Sequence, residues 1–215
     1  MPAPVVWPLD ESGCEEGGHL LTRAFVDDPF FRYAIPDPAD RASQLPPFFA
    51  ACLRYGCLFG RSLAVGRTPG RPEGVGWWYR FPEADFTPER TSAAGFDAVG
   101  ELLGPASDRI AEVAHAVDAV TAQALPGRRC QLDQLGVDPA SQGQGLGSAL
   151  VQAILRDAEL VGLPVSLWTV DPANLAFYRR NGFDVIADGI SANGALPWWT
   201  LSTALPGSAR RPAAT

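Results

Sequence analysis

Glycine occupies alternate positions in Gln142-Gly143-Gln144-Gly145-Leu146-Gly147, where a strand gives way to a helix. Upstream, Cys130 to Val137 reads as a buried strand that ends at the Asp138-Pro139 turn. Downstream, Leu146, Ala149, Leu150, Ala153, Ile154, Leu160 and Val161 recur at helical spacing until Gly162 and Pro164 stop the helix. Glycines at such a junction let a ligand approach the backbone closely. The unpaired N–H groups and positive dipole end of the new helix favour an anion, most often a phosphate. The stretch therefore reads as the site of a pyrophosphate-bearing cofactor.

Two familiar phosphate loops fit it poorly. A P-loop closes with Gly-Lys-Ser/Thr, whereas this loop closes Gly145-Leu146-Gly147-Ser148 without a lysine. A Rossmann fingerprint spaces its glycines G-x-G-x-x-G after the first strand of its domain, with an acidic residue ending the next strand. Here the loop comes late, and the next strand, Pro164 to Val170, offers Leu167-Trp168-Thr169. The Gln/Arg-x-x-Gly-x-Gly/Ala pattern does fit, at Gln142, Gly145 and Gly147. A second segment, Asp171 to Phe183, opens with an N-cap and an N1 proline and ends in a glycine that closes a helix. Within it, Asn174 and Tyr178 are four residues apart and share one helix face. In order and spacing these two segments resemble the signatures of the GNAT superfamily of N-acetyltransferases, and the resemblance runs from roughly Gly74 to Leu201.

The resemblance implies an α/β (α+β) fold: a mixed, mostly antiparallel sheet of six to seven strands flanked by helices, with a helical insertion between the third and fourth strands. It implies acetyl-CoA as donor and a primary amine of a small molecule as acceptor, in antibiotic resistance or biosynthetic tailoring. Leu135, Gly136 and Val137 match a strand end that splays from its neighbour and bonds the pantetheine amides. The N–H near Leu135 would polarise the thioester carbonyl. Backbone N–H groups of Gln142, Gly143, Gln144, Gly145, Leu146, Gly147 and Ser148 would hold the pyrophosphate, and Asn174 the cofactor arm. Tyr178 would protonate the departing thiolate, a phenol of pKa about 10 being matched to an alkyl thiol. A peptide or protein N-terminus as acceptor, or an acyl-CoA sensor without turnover, stays open on these residues.

An attacking amine must lose a proton. Asp133 lies two residues before Leu135, which on a regular strand puts both on one face, and it is the leading candidate base. Gln131 shares that face but cannot serve as a base; Glu83 and Asp85, after the third strand, are alternatives. Asp133 as a structural carboxylate is the competing reading. Trp77-Trp78-Tyr79 spans both faces of its strand, so alternate members, Trp77 and Tyr79, can face the acceptor. Trp168 stands where many relatives place glutamate and is a further acceptor-site residue.

Elsewhere the chain reads as a strand at Val5 to Pro8, a glycine-weakened helix from Asp10 to Phe25, a helix from about Ala42 to Phe59, and a hairpin from Leu63–Gly66 to Gly74–Phe81. Helices are expected at Pro88 to Leu103 and along the Ile110, Val113, Ala114, Val117, Val120 stripe, forming an insertion of about residues 88–125. That insertion reads equally as a wall over the acceptor or as packing at the sheet edge, with His115 off the stripe, its ring exposed without a function or facing the pocket. Phe183 to Ala187 and Leu196 to Leu201 form a last strand pair. Residues 1–204 read as one domain and 205–215 as a disordered tail.

With 24 acidic against 17 basic residues, all of them arginine, the net charge of −7 argues against a nucleic-acid partner. No run of about 18 apolar residues is present, and the N-terminus has no signal-peptide pattern, so a cytoplasmic location away from membranes is expected. Cys14, Cys52, Cys57 and Cys130 show no metal-ligand spacing, so no metal is expected and the four read as packed thiols. A monomer or a homodimer fits equally.

Overall fold

Alternation along β3 (Gly74–Phe81) sets the two layers of the molecule. Val75, Trp77 and Tyr79 join one apolar cluster, while Trp78 joins the other on the opposite side of the sheet, as the period of two demands. The computed structural model describes residues 3–191, 194 and 196–203. Its seven strands are β1 (Val5–Pro8), β2 (Arg61–Gly66), β3, β4 (Arg129–Val137), β5 (Val165–Thr169), β6 (Phe183–Ile190) and β7 (Pro197–Thr203). They lie in the order β1-β2-β3-β4-β5-β7-β6. Only β4 and β5 pair in parallel; the other neighbours are antiparallel. This is the mixed sheet the sequence led us to expect.

On the Trp77 side lie α1 (Cys14–Phe25), α2 (Pro29–Ala34) and α3 (Pro38–Phe59). The glycines that weaken α1 as an isolated helix have a packing purpose. A β-carbon on Gly18 would come within 2.6 Å of the Pro46 carbonyl oxygen of α3 and 2.9 Å of the Ala50 nitrogen, so glycine is what lets the two helices cross this closely. The start of α3 lies earlier than the apolar periodicity indicates. Asp37 accepts from Ala39 N–H at 2.8 Å and Asp40 N–H at 3.0 Å, and Pro38 occupies the first turn, a cap that nucleates one more turn.

The insertion between β3 and β4 holds three helices, α4 (Pro88–Ala94), α5 (Phe96–Leu103) and α6 (Pro105–Ala124). The first expected helix is broken in two at Gly95, which takes φ +93°. Val113 and Val117 of α6 are buried, and Arg109 Nε donates to the Ala34 carbonyl at 2.7 Å, tying α6 to the end of α2. His115 is exposed. On the other face, α7 (Leu146–Leu160) and α8 (Ala173–Arg180) cover the sheet, with Leu146, Leu150, Val151 and Ile154 packed on Leu132, Leu167 and Leu201. The expected 205–215 tail lies outside the described residues. No described helix is long and apolar enough to cross a membrane.

Candidate active site

The sheet parts in its middle. β4 and β5 pair only at Cys130↔Val165 and Gln131↔Ser166. Beyond that point β4 stays with β3 as far as Gly74↔Val137, and β5 stays with β7 as far as Thr169↔Trp199. The edge of β4 from Leu132 to Val137 is thereby left without a strand partner on the β5 side. A cleft of about 460 Å³ occupies the gap, lined by Asp133 to Val137, by Trp168 to Asp171, by Asn174, Phe177 and Tyr178 of α8, and by the α1–α2 connection.

The glycine loop stands at its mouth. Gln142 lines the cleft and its Nε2 donates to the Val137 carbonyl at 3.1 Å. Gly143 and Gly145 take φ +73° and +83°, with open space where a side chain would project. Only glycine adopts these angles without strain, and the open space leaves the backbone approachable. Leu146 is buried in the core beneath α7, so its main chain alone can face a ligand. Ser148 accepts a 3.4 Å bond from Asn181 Nδ2. Asn174 is oriented by donating from Nδ2 to Thr169 Oγ1 at 3.1 Å, while Asp171, just ahead of α8, accepts from Ala173 N–H at 2.9 Å; the N-cap position itself is Pro172, one residue later than expected.

One expectation fails at β4 for a structural reason. Trp77 pairs with Gln134 and Trp78 with Leu132, so Asp133 is the extra residue of a β-bulge. Leu132 and Leu135 consequently share the α7 face, and Asp133 does not project with Leu135. It lines the cleft beside Gln134 instead, whose Nε2 donates to Asp133 Oδ1 at 2.6 Å. Gln131 is buried and accepts from Ser166 Oγ at 2.7 Å.

Burial pushes the Asp133 carboxyl up to about 7, with the charge of Asp118 a smaller contribution. A second carboxylate, unremarked in the sequence, reaches the same cleft. Asp28 accepts from Phe30 N–H at 2.8 Å as the cap of α2. Burial raises it to about 6, the bond from Phe30 opposes this, and neighbouring Asp171 adds to it. Its signal was the Asp28-Pro29 pair, a helix cap by residue type. Tyr178 lies edge-on to Phe177 and Phe183, at 5.0 and 5.7 Å between centroids. Burial, then the charge of Asp28, holds its phenol above the ordinary range. The close acidity match to a thiol expected from an unperturbed tyrosine is therefore absent; the phenol stays protonated as a donor.

Trp168 lines the cleft and meets Phe30 of α2 edge-on at 5.3 Å. Trp77 and Tyr79, expected at the acceptor, do not line the cleft. They are 0% and 6% exposed, covered by Tyr55 and Phe86, and Trp77 Nε1 donates to Gln134 Oε1 at 2.5 Å. Glu83 and Asp85 lie at the far end of β3, where Glu83 pairs with Arg128 at 2.5 Å and the Asp85 carbonyl accepts from Tyr55 at 2.9 Å. Residues of the 88–125 insertion do not line the cleft; they buttress α2 and α3 behind it. Among the described lining residues four are aspartates, Asp27, Asp28, Asp133 and Asp171, and none is basic.

A split central strand pair with a glycine loop at its open end is what the sequence resemblance implied for an acyltransferase. The model of the acetyltransferase (GNAT) family matches residues 75–183, and the chain belongs to that family. Solved structures share the fold across nearly their whole length. A Corynebacterium glutamicum protein described as histone acetyltransferase HPA2 and related acetyltransferase superposes with a TM-score of 0.66 at 18% identity, over 96% of this chain and 99% of that one. Polyamine N-acetyltransferase of Drosophila melanogaster gives 0.62 at 17%, over 94% and 100%. A mosquito arylalkylamine N-acetyltransferase-like protein gives 0.58 at 12%, over 94% and 99%.

Proposed function

We propose that this acyltransferase moves an acetyl group from acetyl-CoA to the amine of a small cationic molecule. The observation that carries the reading is the gap between β4 and β5, which opens between Asp28, Asp133 and Tyr178 and has the glycine loop at its mouth. The residues present suit the coenzyme: an unpaired strand edge for its amides, and left-handed glycines with open space before a helix N-terminus for its diphosphate. When bound, acetyl-CoA supplies the acetyl group as a thioester.

The chain's own groups then divide the work. An acidic lining without basic side chains draws in an ammonium group, with Asp28 positioned to pair with it. Asp133, near 7, is poised to take its proton at neutral pH. The N–H near Leu135 stabilises charge developing on the thioester oxygen, and Tyr178 donates its proton to the departing sulfur. Asn174, held by Thr169, steadies the coenzyme arm. Contact of Phe30 with Trp168 across the cleft favours a compact amine over an extended peptide.

The layout is similar to that of puromycin N-acetyltransferase, with an aromatic strand before a helical stretch and a tryptophan-bearing last strand. Trp168 replaces a glutamate of that enzyme, so we infer a different acceptor. Thiol release from acetyl-CoA across a panel of amines tests the whole reading. Release with one or more amines supports it; coenzyme binding without release from any would make the chain a sensor.

A further inference from the structure

The glycine loop carries no cation: Asp138 to Ser148 contains two glutamines but no arginine. Loop N–H groups and the end of the helix dipole are the attraction it offers an anion by itself. The fold adds a guanidinium from a distant segment. Arg67, in the turn between β2 and β3, donates from Nη2 to Gln144 Oε1 in the loop and from Nη1 to Glu73. Its side chain is only 22% exposed.

Glu73 fixes that guanidinium in place. Its Oε2 accepts from the Arg67 main-chain N–H at 2.8 Å, its Oε1 accepts from Ser141 Oγ at 2.8 Å, and its carbonyl accepts from Asp138 N–H at 2.9 Å. The Ser141 hydroxyl first, then the Arg67 N–H, hold the Glu73 carboxyl below its usual value, so it remains ionised. With both oxygens engaged, this carboxylate orients Arg67 and does not face an incoming anion unpaired. The bond to Gln144 differs in kind, because its acceptor is a neutral amide. A phosphate oxygen adds a full opposite charge and suits the planar guanidinium fork, so it would displace the amide.

We infer that Arg67 is an anion-binding residue of the coenzyme site, turning its guanidinium from the Gln144 amide to an oxygen of the diphosphate at the start of α7. This rests on the coenzyme reading above. The geometry explains how a loop without a cation of its own can hold a diphosphate: the charge comes from the neighbouring hairpin, pre-oriented by Glu73 and within one side-chain bond of the loop.

Calorimetric titration of wild type, Arg67→Gln and Arg67→Lys with CoA, 3′-dephospho-CoA and pantetheine tests it. In Arg67→Gln the Kd for CoA should rise about tenfold or more, as loss of one charge-assisted bond predicts. The rise should be the same for 3′-dephospho-CoA and absent for pantetheine, with Arg67→Lys recovering part of it. Unchanged CoA affinity would overturn the assignment. So would a loss that persists with pantetheine, which would place the effect in loop distortion, or one that vanishes with 3′-dephospho-CoA, which would place it at the 3′-phosphate. Wild-type protein that binds no form of CoA would instead sink the coenzyme reading itself.

Discussion

Gln134 donates to the carboxylate of Asp133 at 2.6 Å, although neighbours on a regular strand point to opposite faces. The bulge that brings these two side chains together places Asp133 in the cleft and Leu132 and Leu135 on the opposite face. The cleft carboxyl that burial raises furthest thus owes its position to a single extra residue in β4.

If Asp133 accepts the proton, kcat/KM for the amine should climb with pH along an acidic limb between about 6 and 7, where Asp28 and Asp133 ionise. Rate measurements on Asp133→Asn should lose the limb nearest 7, while Asp28→Asn should chiefly raise the KM for the amine. Retention of the full limb in Asp133→Asn would transfer the base to Asp28.

Stability should run in the opposite direction. The Asp133 carboxyl titrates near 7 when folded against an ordinary 3.8, so the folded state holds the proton more tightly. The stability this confers is complete below pH about 4 and is lost as pH rises through about 7, each tenfold difference in proton affinity being worth up to about 1.36 kcal/mol. Denaturant melts should therefore show Asp133→Asn more stable than wild type at pH 8 and close to it at pH 4.

Replacing the Tyr178 hydroxyl should separate chemistry from binding. Tyr178→Phe is expected to keep CoA affinity in titration and lower turnover at least about tenfold. Because burial and Asp28 hold the phenol protonated, wild type should show no basic limb from this residue below pH about 10.

Two tryptophans should respond differently. Trp77 is fully buried and bonded to Gln134, so Trp77→Phe should cost about 1–3 kcal/mol of stability with little change in amine KM. Trp168 lines the cleft, and Trp168→Phe should shift amine KM with a smaller change in melting. A reversed pattern would return Trp77 to the acceptor site.

Gly145 holds φ +83° with open space around it. Gly145→Ala should cost roughly 1–2 kcal/mol through backbone strain and raise the KM for acetyl-CoA, and thermal melting alongside initial rates would check both.

Local chemistry made much of this molecule legible from its residues. The loop glycines, the β2–β3 hairpin and the run of strand, loop and helix from β4 to α7 each follow from preferences within a few positions of one another. Asn174 and Tyr178 could be put on one face of α8 for the same reason, since a helix repeats every 3.6 residues.

Relations between distant segments were decided by packing. The register of β3 against β4 shifts by one residue at Asp133, and one slipped residue reverses every side chain after it. Trp77 and Tyr79 became core residues because Tyr55 and Phe86 cover them. Asp28, an ordinary helix cap in sequence, gained its elevated pKa from burial close to Asp171. Arg67 came to the glycine loop through the β2–β3 hairpin. Sequence by itself determined the elements and the shape of the phosphate loop, because those depend on neighbours along the chain. Which carboxylates, aromatics and cations surround the cleft depended on the sheet's register and the docking of its helices, which only the assembled fold supplies.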